Sequence, residues 1–501
     1  MITPLVFLYN LNSEYLNLDD LFVPLVITVC FGLVVINVIE RFTKEVSMRN
    51  VLSWTFFFAV FMYRHLILNV IQIFHLREDA YYNPTFSIIW IAFFISLGYC
   101  VFTSKKTIVS IINRVLKYMT VILFTVPFIG ILAGLVTQCS ARQGDFLINN
   151  NYTMSLREGL NSPDVYFIIL DRYGSDESLK NYYGYDNEPF LKQLETRGFM
   201  VVRNSYANYI KTAHSLSSTL NMQYLTEFAK QTGENNSDMT PLYSLLETNE
   251  VIKRFKANGY RYLHFGSWWE PTRENKFADE NYSGAFMPEF SSNYFMSTVF
   301  YPIATKMGIY DLRREQWNRA KSKLKRVSQV PLDPRNTFTF AHFLVPHPPY
   351  VFDADGSFLD VRTVVERTRR DNYINQIIFI NSEILKLIDT IQGLSPDAVI
   401  VLQADEGPFP LRYEKDVYEF KWNNATNDEL HEKLGILNAY YFPAIPKEEM
   451  PVILTPVNTF RHFFNYYYQQ DFEILDDRNY AYESKSRPYR LIDVTDIVNL
   501  K

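Results

Sequence analysis

The stretch Pro163-Asp-Val-Tyr-Phe-Ile-Ile-Leu-Asp171-Arg-Tyr-Gly174 is an unbroken apolar run that stops at a carboxylate. Strands that are buried on both faces of a parallel sheet lose the alternation of polar and apolar residues, so this run predicts a central strand of an α/β sheet. Ligands of such sheets bind beyond the carboxyl ends of the strands, which places Asp171 where a metal or a phosphate would bind. The alternative for an isolated Asp is a cap on the turn that follows.

A second run of the same kind, Ala398-Val-Ile-Val-Leu-Gln-Ala404, ends in Asp405-Glu406-Gly407-Pro408. Because two apolar strands end in acids, we expect both acidic ends to lie at one site. From residue 163 onward the chain alternates strand and helix patterns, which predicts an α/β domain with a mostly parallel sheet between helices. The other predicted strands are 198–203, 259–266, 336–345 and 434–441, and the predicted helices are 172–197, 212–225, 250–258, 313–327, 364–389 and 456–464.

The first part of the 501-residue chain is strongly apolar and predicts a four-helix transmembrane anchor. The predicted spans are Leu21–Ile39, Val51–Phe74, Phe86–Phe102 and Met119–Thr137. Arg64 and His65 lie within the second span, where ionisable groups must face other helices. We interpret them as a contact between helices, with a lipid-headgroup site as the alternative. The predicted domains are an anchor over 1–138, a linker over 139–162 and an α/β domain over 163–501.

Basic residues in the loops predict the orientation of the anchor. Such residues follow the first and third spans, at Arg41, Lys44 and Arg49 and at Lys105, Lys106, Arg114 and Lys117. Cytoplasmic loops are enriched in Lys and Arg, so the sequence predicts a multi-pass cell-membrane protein whose C-terminal domain is extracytoplasmic. The net charge of −5, without a clustered basic patch, argues against a nucleic-acid partner. The oligomeric state is left open by the sequence.

The positions of several oxygen-bearing side chains suit phosphoryl or sulfuryl transfer. That chemistry needs a hydroxyl nucleophile that loses its proton, and it needs positive charge to offset the transferred group. Thr212, at the predicted start of a helix, suits the nucleophile, and Asp171, Asp405 and Glu406 suit ligands of a divalent metal. The alternative for Thr212 is a plain helix cap.

Two histidines lie at or beyond the end of the strand predicted over 336–345. His347 follows that strand between prolines, so we expect it to donate a hydrogen bond to the transferred group or to protonate the leaving oxygen. His342 lies five residues earlier. Because side chains alternate between the two faces of a strand, we interpret His342 as a structural residue on the opposite face.

These motifs together resemble the membrane-bound, sulfatase-like branch of the alkaline phosphatase superfamily, which includes lipoteichoic acid synthase and lipid A phosphoethanolamine transferase. The resemblance covers roughly residues 164–498 and is carried by Ile-Ile-Leu-Asp171-Arg-Tyr, Lys-Thr212-Ala-His-Ser-Leu, Pro-His347-Pro-Pro-Tyr and Gln-Ala-Asp405-Glu-Gly-Pro. It implies that Thr212 is both the nucleophile and a metal ligand. It also implies that Asp171 and Asp405 are metal ligands and that His347 contacts the substrate phosphate.

Glu406 departs from this family pattern, because members usually carry His after that Asp. A site formed by Asp171, Thr212, Asp405 and Glu406 would be entirely oxygen, which favours magnesium, manganese or calcium over zinc. The predicted function is a transferase or hydrolase that acts on phosphoester or phosphodiester groups of a lipid-linked or envelope substrate. The alternatives are a sulfatase and an inactive envelope scaffold. A sulfatase is expected to have Cys or Ser followed by Pro and Arg, which Thr212-Ala-His lacks.

Overall fold

The computed structural model describes residues 2–12, 16, 18–74, 76, 78–141, 152–284, 287–415 and 420–499. The chain divides into two compact units. The first unit comprises Met1–Ser140, Ala285–Glu315 and Asp360–Glu366, and the second comprises Ala141–Gly284, Gln316–Leu359 and Arg367–Lys501. The sequence placed 285–315 and 360–366 in the α/β domain, whereas in the structure both segments belong to the first unit.

The elements are numbered in chain order. The helices are α1 (Thr3–Leu11), α2 (Leu18–Phe42), α3 (Val46–Phe61), α4 (Tyr63–Ile73), α5 (Pro84–Thr103), α6 (Lys106–Ala141), α7 (Asp176–Tyr183), α8 (Glu188–Thr196), α9 (Thr212–Asn221), α10 (Thr226–Thr232), α11 (Thr240–Glu247), α12 (Glu250–Ala257), α13 (Glu289–Met296), α14 (Phe300–Lys306), α15 (Leu312–Val327), α16 (Val361–Glu366), α17 (Arg369–Leu394), α18 (Leu411–Lys415), α19 (Asn427–Leu434), α20 (Thr459–Tyr468) and α21 (Thr495–Asn499). The strands are β1 (Val165–Leu170), β2 (Met200–Val201), β3 (Arg261–Phe265), β4 (Glu280–Asn281), β5 (Thr337–Phe343), β6 (Val399–Gln403), β7 (Asn438–Tyr441), β8 (Tyr480–Ser484) and β9 (Arg487–Asp493).

The first unit contains the helices that can cross a membrane. In the part of the chain that the structure describes, Asp19–Phe42, Pro84–Thr103 and Lys106–Leu132 are each long and apolar enough to do so. The remaining predicted span is broken into α3 and α4, which are bent by 57°. The described residues therefore contain three candidate spans, or four if the bent pair counts as one.

The second unit is built on a sheet with the strand order β2-β7-β6-β1-β5-β3-β4. Strand β1 pairs in parallel with both β5 and β6, and β7 is antiparallel to β6 near one edge. Every residue of β1 and β6 is buried, as expected for strands covered on both faces by helices. The predicted fold class, a mostly parallel sheet between helices behind an apolar helical anchor, is confirmed.

Aromatic packing fixes the helices of the second unit against its sheet. Phe460 on α20 is fully buried, and its ring lies 5.2 Å from that of Phe167 and 6.0 Å from that of Phe338. Phe255 on α12 stacks on Phe338 at 4.3 Å. Rings at these separations add specific edge and stacking interactions to the free energy of burial. The helices are thereby held against the sheet, and the parallel pairing of β1 with β5 and β6 puts the carboxyl ends of these strands at one edge.

Candidate metal and catalytic site

Three adjacent parallel strands bring two acids and an imidazole to one edge of the sheet. Asp171 directly follows β1, Asp405 lies just beyond β6, and His342 is the penultimate residue of β5. Their potential ligand atoms all lie within 4.8 Å of one another, and all three side chains are buried. The meeting follows from the sheet register, because Ile169 on β1 is paired both with His342 and with Gln403.

Thr212 is the first residue of α9 and lies beside this group. Its helix is buried from Ala213 to Asn221, whereas Thr212 itself is half-buried. Burial and the carboxylates of Asp171 and Glu406 raise the pKa of Asp405, and the hydroxyl of Thr212 is close enough to lower it in part. The N-cap position belongs to Lys211, and no side chain makes a capping hydrogen bond there. Thr212 therefore does not serve as the helix cap.

Glu406 forms a buried ion pair. Its Oε1 lies 2.9 Å from Nζ of Lys433 and 3.5 Å from Nε of Arg172. Lys433 also donates a hydrogen bond of 2.7 Å to the carbonyl of Gly407. Burial raises the pKa of Glu406, but Lys433, Lys211 and Arg172 lower it by more, so the pKa falls below its usual value. Glu406 is thus charged and engaged with cations beside the group of Asp171, His342 and Asp405.

The ring of Phe409 holds three cations at this edge of the sheet. The centroid of the ring lies 3.4 Å from Nζ of Lys433, 4.1 Å from Nζ of Lys211 and 4.2 Å from Cζ of Arg172. Cations over an aromatic face are attracted to its negative potential. Arg172 has φ of 63°, in the left-handed region that is costly for a residue with a Cβ. The chain accepts that strain immediately after Asp171, where it turns the guanidinium toward Glu406.

The unpaired polar atoms of this group fit a bound cation. Oδ1 of Asp171, both carboxylate oxygens of Asp405 and Nε2 of His342 are buried without a hydrogen-bond partner of normal geometry. Buried acceptors without partners are costly, and a divalent cation would satisfy all of them. Burial and Glu406 also raise the pKa of Asp171, which a cation would reverse. The residues present therefore fit a metal ion, with an imidazole where the sequence predicted an all-oxygen set.

His342 is the residue that the sequence interpretation missed. Its Nε2 lies 3.3 Å from Oδ2 of Asp171, and its Nδ1 lies 3.0 Å from Oγ1 of Thr272. Burial lowers the pKa of His342 to about 4, so the ring is neutral and can offer a lone pair. The sequence-based interpretation of His342 requires side chains to alternate between the two faces from His342 to His347. Strand β5 ends at Phe343, so this alternation does not extend to His347 and says nothing about the face of His342. The position of His342 at the end of a buried strand was the available signal.

His347 lies in the loop after β5. Burial is the main cause that lowers the pKa of its ring, and the nearby cations Arg172 and Lys433 lower it further. Its Nδ1 contacts the carbonyl oxygen of Pro348. A carbonyl can only accept a hydrogen bond, so Nδ1 carries the proton and, in the neutral ring, Nε2 is an acceptor. In this tautomer Nε2 of His347 can accept a proton or a hydrogen bond but cannot donate one.

Comparison with known proteins gives one family match. Residues 163–458 match the family model described as Sulfatase. Among functionally curated proteins, no significant sequence match was found.

Several solved structures are similar to parts of the chain at low sequence identity. The C-terminal periplasmic domain of EcEptC from Escherichia coli is 14% identical, with 68% of this chain and 96% of that chain covered and a TM-score of 0.44. The lipooligosaccharide phosphoethanolamine transferase A (EptA) from Neisseria meningitidis is 11% identical, with 79% and 76% covered and a TM-score of 0.38. The C-terminal periplasmic domain of the phosphoethanolamine transferase EptC from Campylobacter jejuni is 11% identical, with 63% and 92% covered and a TM-score of 0.36.

The buried pair of Glu406 and Lys433 yields a stability prediction. Lys433→Met leaves the Glu406 carboxylate buried without its nearest cation, so we expect the free energy of unfolding to fall by about 3–5 kcal/mol. In the double variant with Glu406→Gln the buried charge is removed, and much of the loss should be recovered. Denaturant titration of the full-length protein in detergent measures all three proteins. Equal stability of Lys433→Met and the wild type would contradict the ion pair.

Proposed function

Because the chain belongs to the sulfatase family, we propose that it is a metal-dependent enzyme that transfers or hydrolyses a phosphoester or phosphodiester group through Thr212. The observation that carries this proposal is the position of Thr212. Its hydroxyl lies beside Asp405 at the start of a buried helix, next to a group of three side chains whose unpaired atoms fit a cation. A helix N-terminus further favours the anionic form of a nucleophile and of the group it attacks.

Asp171, Asp405 and His342 would hold the metal ion, with the hydroxyl of Thr212 beside them. A bound divalent cation would supply a lower pKa for that hydroxyl and a positive charge that offsets the phosphoryl oxygens. Glu406, which the sequence assigned to the ligand set, would instead hold Lys433 and Arg172 close to the site. An imidazole among the ligands suits zinc as well as manganese, so the preference for manganese, magnesium or calcium over zinc loses its basis.

The charges of the site favour an anionic substrate. Three carboxylates, those of Asp171, Asp405 and Glu406, lie close to three cations, namely Arg172, Lys211 and Lys433. Without a metal these charges balance, so a bound divalent cation leaves the site positive. A phosphomonoester dianion would restore the balance, and a phosphodiester anion would halve the excess positive charge. The cations gathered around Phe409 are therefore suited to hold the non-reacting oxygens while Thr212 attacks.

In the first step of this proposal, Oγ1 of Thr212 forms a bond to phosphorus, the bond from phosphorus to the leaving oxygen breaks, and the proton of the Thr212 hydroxyl passes to the leaving oxygen. The product is a phosphorylated Thr212. In the second step an acceptor hydroxyl, or water, attacks the same phosphorus, and the bond to Thr212 breaks.

His347 would take the proton of the incoming hydroxyl, because its Nδ1 is engaged with Pro348 and its Nε2 offers a lone pair. His347 would then return that proton to Oγ1 of Thr212 as the bond to phosphorus breaks. From the sequence we expect His347 to donate a hydrogen bond to the transferred group or to protonate the leaving oxygen, and the base role is our proposal beside it.

The residues after Thr212 argue against sulfate ester hydrolysis as the main activity. A formylglycine-dependent sulfatase would need Cys or Ser at this position, followed by Pro and Arg, whereas this chain has Ala213 and His214. His214 is buried, and its Nε2 lies 2.9 Å from the carbonyl oxygen of Pro488. The unmodified hydroxyl of Thr212 is therefore the available nucleophile.

The apolar helices support a lipid-linked substrate in the cell envelope. A catalytic domain joined to membrane spans is confined near lipid headgroups, so a substrate carried by a lipid would reach it at high effective concentration. The basic loops favour an extracytoplasmic location for the domain. Transfer to an envelope acceptor and hydrolysis by water differ only in which hydroxyl attacks phosphorylated Thr212.

Replacement of Thr212 tests the nucleophile. We expect Thr212→Ala to lower the hydrolysis of bis(4-nitrophenyl) phosphate by at least about two to three orders of magnitude, since the reacting oxygen is lost. Thr212→Ser keeps a hydroxyl and should retain measurable activity. Mass spectrometry after a rapid acid quench should find a phosphoryl-linked adduct on residue 212 of the wild type and of the Ser variant. Full activity of Thr212→Ala would overturn the mechanism.

Metal analysis tests the ligand group without reference to activity. We expect the purified full-length protein to bind close to one divalent ion, and Asp405→Asn and His342→Gln to weaken that binding by at least roughly tenfold, measured by elemental analysis and calorimetric titration. His264→Gln is a control, because His264 is buried on the neighbouring strand β3 and is not among these ligands. A protein that binds no metal, together with Thr212→Ala that leaves phosphodiester hydrolysis unchanged, would favour an inactive scaffold.

A further inference from the structure

The break between α3 and α4 is filled by a segment from much later in the chain. In a continuous helix the N–H of Arg64 would donate to the carbonyl of Val60, four residues earlier. Here the N–H of Arg64 instead lies 3.4 Å from the carbonyl of Ser297, and the carbonyl of Val60 accepts a hydrogen bond of 2.9 Å from the N–H of Val299. The segment between α13 and α14 thus provides two hydrogen bonds in place of the missing one between Arg64 and Val60.

The site of this break makes such a substitution necessary. Helices α3 and α4 together form the apolar pair that qualifies as a bent span. In the hydrocarbon core no water is present to satisfy a free N–H or C=O, so a broken helix is tolerated only where other protein groups bond to it. The segment that contains Ser297 and Val299 provides those groups to α3 and α4.

Contacts with α2 show how far along a span the segment reaches. The hydroxyl of Tyr294 on α13 is 2.9 Å from that of Thr28, and the ring of Phe300 on α14 meets that of Phe31 edge-on at 6.1 Å. Counted from Leu18 at 1.5 Å per residue, Thr28 and Phe31 lie roughly 15–20 Å along α2. The hydrocarbon core is about 30 Å thick, so helices α13 and α14 lie beside the middle of this candidate span.

Three of the four side chains that residues 289–310 leave exposed are apolar, and the fourth, Lys306, has a long aliphatic stem whose ammonium can reach the headgroup region. Met307 is 68% exposed, Ile309 is 69% exposed and Phe300 is 39% exposed. Met307 and Ile309 flank Gly308, whose φ of 69° lies in the left-handed region just after the end of α14.

An exposed apolar tip would be unfavourable in water, whereas acyl chains would cover it at no cost. The exposed residue Phe300 contacts Phe31 on the candidate span α2, so the apolar surface of this segment adjoins the surface of that span. Lipid that surrounds the span would therefore also cover the segment.

We infer that residues 289–310 form a lipid-embedded element that completes the broken span, with Phe300, Met307 and Ile309 in contact with acyl chains. The partner is the bilayer, at the depth of Thr28 and Phe31 on α2. This inference does not rest on the catalytic proposal, since all its contacts lie within the first compact unit. It assigns to the membrane a stretch whose sequence position lies well inside the predicted α/β domain.

Spin labelling of the full-length protein tests the lipid contact. In a background with Cys30, Cys100 and Cys139 changed to Ser, single labels are placed at Ile309→Cys, at Leu332→Cys and at Ile95→Cys, and the protein is reconstituted in phosphatidylcholine vesicles. Leu332, in the second unit, is 69% exposed and matches Ile309, and Ile95 on α5 is 67% exposed and serves as the span reference. We expect the label at 309 to resemble that at 95, with high accessibility to oxygen and low accessibility to a water-soluble nickel complex.

The other outcomes of this measurement would overturn the inference. A label at 309 that is open to the nickel complex, as expected at 332, would place the tip in water. A label at 309 that is closed to both reagents would indicate cover by a second copy of the chain or by another protein rather than by lipid.

A pair of substitutions at one residue tests the hydrogen bond at the break. Val299→Pro removes the N–H that the carbonyl of Val60 accepts, and the φ of −62° at Val299 already suits a proline ring. Val299→Ala shortens the side chain but keeps the N–H. We expect Val299→Pro to have a lower Tm than Val299→Ala in lipid nanodiscs, measured by intrinsic fluorescence. Equal Tm values for the two variants would remove the proposed role of this bond.

Discussion

Like charges that are buried side by side repel one another, and Asp171 and Asp405 lie within a few ångströms at the carboxyl ends of neighbouring strands. In a medium of low dielectric such a pair persists only if positive charge lies close by. The chain supplies part of that charge through Lys211, Lys433 and Arg172. The rest of the architecture, from the parallel register to the strained backbone of Arg172, maintains this arrangement of charges.

The pairing of Glu406 with Lys433 changes how this site is assembled. In the family pattern an imidazole follows the second Asp, whereas here that position carries a carboxylate that is held by a buried lysine. The imidazole comes instead from His342 on the strand on the other side of β1. In the proposed metal site His342 would supply a nitrogen donor from this other strand, and Lys433 adds a fixed cation beside it. That cation favours anionic groups at the same edge of the sheet.

Within the membrane unit the dominant constraint is the satisfaction of backbone polar groups. A helix that breaks without proline exposes an N–H and a carbonyl, and Ser297 and Val299 provide their partners. A stretch that is distant in sequence is therefore required for a span to remain bent. Tyr294, stacked on Phe61 with ring centroids 5.2 Å apart, adds packing at the same place. The insertion at 285–315 thus belongs physically to the anchor.

Local sequence patterns were sufficient to predict the apolar spans, the two buried strands with acidic ends and the helix that begins at Thr212. Hydrophobic periodicity and the acids at strand ends involve only residues that are neighbours in the sequence. The sequence did not predict where helices are interrupted. The predicted helix over 364–389 is α16 followed by α17, the predicted second span is broken, and the hairpin of β8 and β9 was not anticipated. Such breaks depend on which distant groups satisfy the backbone.

Only the tertiary structure decided which side chains meet. The face on which His342 lies depends on where β5 ends, and the partner of Glu406 is on a helix that begins more than twenty residues later. The assignment of 285–315 to the membrane unit depends on contacts with helices distant in sequence, among them the hydrogen bonds to α3 and α4. Each of these is a contact between residues far apart in the chain, and a single sequence carries no local signal for it, because the register and packing of the whole fold bring those residues together.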